Sequence, residues 1–413
     1  PMEPLRQVID QGGLYDRKKI FYKQILDLIV VAACGPPGGG KSDVTPRLTS
    51  KFSTFCFPTL AQDSLLRIFR TIVKGFLNIF PKDVKALAYT LVDATVEVYN
   101  TLFAEMRPTP SRSHYTFNMR DLSKVVQGVL MVRPADIPDP KMLVKLWLHE
   151  CSRVFHDRLI DDNDRSWWWG MCGRLTKKNF GIDWEESFKT IIFCDFIDKP
   201  MDGSPSIYRE APPMAKVQEV MVEFMMGYNV EFNKEDDLVF FEDAVLHLSR
   251  LTRVLRQPRG NALLVGVGGS GRQSLVRMAA FMADQKCFQI AVTRGYGMVE
   301  FRDDLKKALL DAGCDDKPMV FLMNDTQIAK EQFLEDINNV LNTGEVPNLI
   351  QNEDMERIMS TVSLKVKALG KQETRDVILS HFVYLVRENL HTVLAMSPIG
   401  DMFRTRLRMF PSL

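Results

Sequence analysis

The sequence predicts an α/β domain built on a parallel, doubly wound sheet and preceded by an all-α region. Three observations carry this. From Asn261 onward, short apolar runs alternate with amphipathic ones, the pattern of strands joined through crossover helices. From Ala61 to Tyr228, apolar residues recur instead at three and four, and prolines separate the runs. Between an apolar run and an amphipathic one, Asn261 to Ser274 reads NALLVGVGGSGRQS, which marks where a first strand turns into a first helix.

The totals bound the rest. With 413 residues, two or more domains are expected. Hydrophobic residues make up 46% and charged ones 25%, as in ordinary globular chains. A net charge of +1 gives no global electrostatic case for nucleic acid or an acidic membrane as partner. The apolar run Leu28 to Cys34 is too short to span a bilayer, and no signal peptide is seen. Seven scattered cysteines without a CxxC pair suit a reducing compartment rather than a zinc site or disulfide framework. The chain starts at Pro1 without an initiator Met and stops at Leu413 in an apolar context, so a piece of something longer is expected.

Residues 1–34 read as a short helix and then an apolar strand, Leu26 to Ala33. GPPGGGKS follows, with Gly35, Gly40, Lys41 and Ser42 at the spacing of a phosphate-binding loop. Two physical features argue against it. Pro46 disfavours helix at Thr45, so no helix of several turns is launched. Pro36 and Pro37 remove two of the backbone N–H groups from which a phosphate nest is made. No apolar strand ending in an acidic pair follows closely; TIIFCDFID, Thr190 to Asp198, is a distant imitation.

The all-α region reads as a bundle. SLLRIFRTIVKGFLNIF, KDVKALAYTLVDATVEVYNTLF, MRDLSKVVQGVLMV and PKMLVKLWLHECSRVFHDRLI are its periodic stretches. Trp167, Trp168 and Trp169 read as packing, since no basic stripe accompanies them. His114, His149 and His156 lack metal-ligand spacing. Asp198 to Pro213, rich in Pro and Gly, reads as a linker.

The second half carries the chemistry. A helix from Phe240 to Arg256 leads to the strand Ala262 to Val265. Gly266, Gly268, Gly269, Ser270 and Gly271 then form a tight loop, and Arg272, Gln273 and Ser274 open a helix. Backbone N–H groups of such a loop converge on phosphate oxygens, helped by the partial positive charge of the helix N-terminus. A nucleotide loop is therefore expected; the bland alternative is a glycine-rich turn. Arg272 stands where Lys is usual, and the hydroxyl comes one place later, at Ser274. CFQIAV (Cys287 to Val292), PMVFLMND (Pro318 to Asp325) and HTVLAMS (His391 to Ser397) read as further strands. FRDDLKKALLDAG reads as a helix closed by Gly313, and another helix is expected from Lys330 to Leu341. Asn324 and Asp325, ending a buried strand, lie where a carboxylate that orders magnesium would be delivered.

Several stretches together resemble one family. LLVGVGGSGRQSL, DTQIAKEQFLEDINNVLNTGEVPNL and LAMSPIGDMFRTRLRMFPSL resemble the fourth AAA+ module of an axonemal dynein heavy chain. PLRQVIDQGGLYDRKK, AACGPPGGGKSDVTPR and HYTFNMRDLSKVVQG resemble the later part of the third module. The likeness covers essentially the whole chain. It implies residues 1–60 as the end of the third large domain and 61–205 as its helical small domain. It implies 206–235 as a linker and 236–413 as a truncated fourth P-loop large domain. The implied parent is a ring-shaped ATPase motor that slides microtubules in cilia and flagella, in the cytoplasmic cytoskeleton of the axoneme. Implied partners are the other AAA+ modules, dynein intermediate and light chains, and microtubules; no nucleic acid or membrane is implied.

The resemblance also implies roles. An Arg usually stands at the place of Lys41, so GPPGGGKS matches a P-loop by accident. Arg120 matches the sensor-2 position that reaches the third module's phosphates, and Ser397 fits sensor 1. Arg47 resembles an arginine finger toward the second module's nucleotide, and Arg404 and Arg406 are candidates toward the third's. ATP or ADP and magnesium are the implied cofactors, with Ser274 and Asp325 as possible magnesium contacts.

The fourth site departs from an active pattern. Arg272 is a rigid fork rather than a compact ammonium. Asn324 replaces the aspartate of the magnesium shell, and Asp325, one methylene short, replaces the glutamate that orients water. Errors of about 1 Å cost on the order of 10²-fold in rate. A site that binds nucleotide and hydrolyses it slowly or not at all is expected. Two other readings stand: a structural ring segment without nucleotide, and an independent P-loop ATPase or kinase using Lys41.

Overall fold

The computed structural model describes residues 2–16, 18–35, 44–58, 60–109, 112, 114–198, 206–233, 235, 238–398 and 401–410. The chain divides into two units, Pro1–Leu65 and Leu66–Leu413. Lys41 and Ser42 lie outside the described residues.

In the first unit, α1 (Met2–Gln11) runs into an antiparallel hairpin of β1 (Gly13–Asp16) and β2 (Phe21–Gln24), with Gly13 opposite Gln24. The strand expected from Leu26 to Ala33 is absent. Ile29 is 89% and Val31 90% exposed, and no described strand pairs with this run. An apolar run becomes a parallel strand only where neighbours supply its ladder and cover its faces. Thr45 is extended (ψ 139°), as a residue before proline tends to be, and α2 (Pro46–Thr49) is a single turn.

α3 (Gln62–Phe76) crosses the boundary at Leu65, and the second unit continues with α4 (Lys82–Ala86), α5 (Ala88–Glu105), α6 (Met119–Val129), α7 (Pro140–Val154) and α8 (Asp162–Phe180). Their ends follow local chemistry. Asn118 caps α6 by accepting from Arg120 N (2.8 Å), and Asp121 reciprocates by accepting from Asn118 N (3.0 Å). Such a cap is worth about 1 kcal/mol. Asp139 caps α7, with Pro140 in the first position, and α8 stops at left-handed Gly181 (φ 66°). Trp147 is buried against α5 and donates to Thr95 Oγ1 at 2.9 Å. Trp168 is fully buried beside Phe155, and the Trp169 ring lies 4.8 Å from that of His156, so the tryptophan run is packing.

The linker expected at 206–235 holds regular structure among its described residues. β3 (Phe193–Cys194) pairs with β4 (Arg209–Glu210), and α9 (Met214–Phe232) is a helix of 19 residues. Val217, Met221 and Tyr228 of α9 are buried, and the Tyr228 ring lies 5.5 Å from Phe281. An apolar face with a partner outweighed the flanking prolines and glycine.

α10 (Glu242–Arg256) leads into β5 (Ala262–Val265) and α11 (Arg272–Met282). Then come β6 (Lys286–Gln289), α12 (Met298–Gly313), β7 (Met319–Asn324), α13 (Gln332–Thr343), α14 (Asn352–Ala368), α15 (Arg375–Asn389), β8 (Leu390–Met396) and α16 (Asp401–Met409). The sheet order is β5-β8-β7-β6, with every pairing parallel. Both faces are covered. Met319, Phe321 and Met323 of β7 join one core with α12 to α15, while Val320 and Leu322 join another with α9, α10 and α11. A strand buried on both faces is a continuous apolar run, which is what MVFLM is.

Gly313 does not close α12 as a left-handed cap; it is the last helical residue, and Cys314 follows at φ −83°. A Cβ there would collide with Phe382 of α15, so close packing of two helices accounts for the glycine.

Candidate nucleotide site

The P-loop candidate sits at the carboxyl end of β5, on the edge of a parallel sheet where such folds bind ligands. Gly269 (φ 77°) and Gly271 (φ 74°) adopt the left-handed region that glycine reaches without strain. Gly266 N donates to Met396 O (3.1 Å), tying the loop to the end of β8, and Leu275 N donates to Gly271 O (2.9 Å), starting α11. Ser270 is exposed at the tip. A Cβ on Gly268, Gly269 or Gly271 would meet no protein atom within 4 Å. Gly268 is the informative one: its φ is not in the left-handed region and nothing in the chain crowds it. What its missing side chain leaves room for lies outside the protein, which fits a phosphate cradle.

Arg272 folds back onto this cradle. Its Nη2 donates to Val267 O at 3.0 Å and its Nη1 to Met396 O. The cation is thereby fixed at the loop mouth with further N–H groups to spare. Ser274 is half-buried in the first turn of α11, and its hydroxyl makes no hydrogen bond among the described residues.

The ends of β7 and β8 complete the site. Ser397 N donates to Asp325 Oδ2 at 3.0 Å, so these two predicted residues do meet. Asn324 caps the short turn 325–327, its Oδ1 accepting from Thr326 Oγ1 (2.7 Å) and Gln327 N (3.0 Å). Residues not singled out from sequence join them. Gln289 Nε2 donates to Gln273 Oε1 (3.1 Å) and Gln327 Oε1 (3.4 Å), and Gln289 Oε1 accepts from Arg277 Nη2 (2.6 Å). Gln327 Oε1 also accepts from Asn324 N at 2.9 Å, and its Nε2 donates to Ile290 O. The signal available in the sequence was an amide ending two of the strands, Gln289 in β6 and Asn324 in β7.

This donor set does not fit the magnesium expected at Ser274 and Asp325. The positions that usually supply a hydroxyl and an aspartate hold Gln273 and Asn324, neutral amides whose oxygens already accept hydrogen bonds. Asp325 has one carboxylate oxygen, Oδ2, engaged by Ser397 N. Among the described residues no group of three or more His, Cys, Asp or Glu could hold a metal ion. Magnesium favours charged oxygen ligands in near-octahedral order.

The arginines separate. Arg406 is 8% exposed, and its Nη2 lies 2.7 Å from Glu331 Oε1. Arg404, on the same helix, is exposed, and its guanidinium has no partner among the described residues. Arg120 is exposed in the first turn of α6, and its guanidinium is likewise unpaired among the described residues. Neither makes a hydrogen bond to the glycine loop. Arg47 is exposed on α2 of the first unit.

Comparison with known proteins identifies three regions along the chain. A family model described as the P-loop containing dynein motor region D4 matches residues 237–413. The dynein heavy chain ATPase lid domain matches 70–165, and the P-loop containing dynein motor region matches 1–60. The chain is 48% identical over its whole length to human dynein axonemal heavy chain 6 and 44% to mouse dynein axonemal heavy chain 1. It is 40% identical to the Chlamydomonas reinhardtii dynein-1-beta heavy chain of the flagellar inner arm I1 complex. It spans about a tenth of the length of these relatives. With three consecutive dynein regions matched and a parallel α/β sheet under the glycine loop, the chain belongs to the axonemal dynein heavy-chain family.

Proposed function

We propose that the chain is a segment of an ATP-driven microtubule motor ring in the axoneme of cilia or flagella. In this reading its fourth-module loop holds ATP or ADP in a regulatory way, with slow hydrolysis or none. The observation that carries it is an open glycine cradle beside strand ends lacking hydrolytic equipment. Gly268 leaves space for a phosphate, whereas Asn324 serves as a turn cap and Asp325 is held by Ser397.

The proposed division is 1–60, 61–205, 206–235 and 236–413, supported by the three matched regions, with the third segment as helical connector rather than open linker. The remaining ring modules are the direct partners; intermediate chains, light chains and microtubules are partners of the parent motor. Arg120 would serve the third module's nucleotide, and Arg404 is the better candidate to reach it in trans, since Arg406 is engaged by Glu331.

Binding of a fluorescent ATP analogue to the chain tests the reading. Gly268→Ala should abolish binding without a change in thermal melting, and phosphate release should be negligible. Rapid turnover, or binding unaffected by Gly268→Ala, would contradict it. A second reading, a structural module without nucleotide, is favoured by one observation: Arg272 already braces the loop through two carbonyls. Failure of the unmodified chain to bind would select it.

A further inference from the structure

The amides around the glycine loop point to how the nucleotide would be held. In a magnesium-dependent P-loop, the residue after the loop cation supplies a hydroxyl and the end of another strand of the sheet an aspartate, and the ion bridges phosphate oxygens. Here both places are amides, and both are built into one network. Gln273 accepts from Gln289, Gln289 also reaches Gln327, and Gln327 accepts from the backbone of Asn324. Arg277, one turn beyond Gln273 on α11, anchors Gln289 from below at 2.6 Å. Gln327 is 9% exposed and donates onward to Ile290 O. The network thus links α11, β6 and the end of β7 through amide side chains whose oxygens already accept hydrogen bonds. A divalent ion seated at Gln273 and Asn324 would have to break these hydrogen bonds and would gain neutral ligands in return.

The positive charge comes from elsewhere. Arg272 has five N–H donors, of which its bonds to Val267 O and Met396 O use two. The side chain passes close to Gly266, with Nε 3.7 Å from where a Cβ would stand, so the remaining donors lie at the same glycine loop, and the space over Gly268 is open. A guanidinium is always charged, and its planar fork matches phosphate oxygens in pairs.

We propose that this site binds a nucleoside di- or triphosphate without a divalent cation, with Arg272 supplying the charge and the Gln273–Gln289–Gln327 network closing the magnesium position. The inference rests on the nucleotide reading above and deepens it. It also gives a reason for slow hydrolysis: the ion that would neutralise a transferring phosphoryl group has no seat.

The test is equilibrium binding of a fluorescent ADP analogue to the full 413-residue chain at fixed ionic strength. One titration contains magnesium and the other EDTA. The expected result is less than a fivefold difference in Kd. A fivefold or greater weakening in EDTA overturns the inference while leaving nucleotide binding intact. No binding in either buffer removes the nucleotide reading and this inference with it. Two variants test the assignment. Arg272→Gln should weaken binding tenfold or more in both buffers. Gln273→Ser combined with Asn324→Asp should introduce magnesium dependence of at least fivefold. Unchanged binding in the first, or continued indifference to magnesium in the second, counts against the roles assigned to these residues.

Discussion

Glu150 of α7 and Arg253 of α10 form an ion pair in the interior of the second unit, with the guanidinium Nε 3.1 Å from the carboxylate Oε2. The Glu150 side chain is fully buried and that of Arg253 is 7% exposed. Tyr208 donates to the other carboxylate oxygen at 2.7 Å. Burial pushes the Glu150 carboxyl up, but the charge and hydrogen bonds of Arg253, with Tyr208, outweigh it and hold it below the usual range. α10 continues into β5 and the glycine loop, so this pair fastens the helical region to the helix that introduces the P-loop.

Removing one partner leaves the other charged and buried. Glu150→Ala or Arg253→Ala should each cost about 3–5 kcal/mol in denaturant unfolding. Glu150→Leu with Arg253→Met should cost far less than the sum of the single changes. Additive losses in that double-mutant cycle would show that the two groups do not act as a pair.

Gly128 of α6 lies under the same carboxylate, and a Cβ added there would collide with Glu150 Oε2. In a free helix, Ala is favoured over Gly by about 1 kcal/mol. Gly128→Ala should nevertheless destabilise, by about 1–3 kcal/mol, because the core has no room. A raised Tm in this variant would refute the packing explanation.

His149, next to that pair, is buried and its pKa is pushed down to about 3, by burial first and then by the neighbouring Arg153 charge. The folded protein therefore keeps it neutral where the unfolded chain, with an ordinary value of about 6.5, takes up a proton. Stability should fall as pH drops from about 6.5 toward 3, by up to about 1.4 kcal/mol per unit from this residue. Glu150 has the same sign at lower pH: its contribution is full above the ordinary carboxylate range and is lost as pH falls through its depressed value. Urea unfolding at pH 7 and pH 5 should show a shallower loss for His149→Gln than for the parent chain.

Arg404 and Arg406 should separate in stability. Arg406→Ala breaks the pair between the buried Arg406 side chain and the exposed Glu331 and should cost about 1–2 kcal/mol. Arg404→Ala should stay within about 0.5 kcal/mol of the parent, as for an unpaired surface residue. Equal losses in thermal melts would mean that Arg404 has a structural partner after all.

Local pattern was enough for much of this. Ala262 to Val265, the glycines at 266–271 and the helix opened by Arg272 follow from hydrophobic period and glycine chemistry, which act between near neighbours. The run MVFLM marked a strand covered on both faces because no polar side chain interrupts it. Family membership was legible for the same reason, since the motifs are long and contiguous. Tertiary structure decided whatever depends on a partner distant in sequence. Leu26 to Ala33 has a strand's composition but no described neighbour to pair with. Gly313 looked like a cap until Phe382 lay against it, and Arg404 and Arg406 looked equivalent until Glu331 took one of them. Gln289 and Gln327 are 38 residues apart and become one network only because β6 and β7 are adjacent. Period and turn chemistry are properties of a segment; hydrogen bonds, ion pairs and close packing belong to pairs of segments, and only the folded chain chooses the pairs.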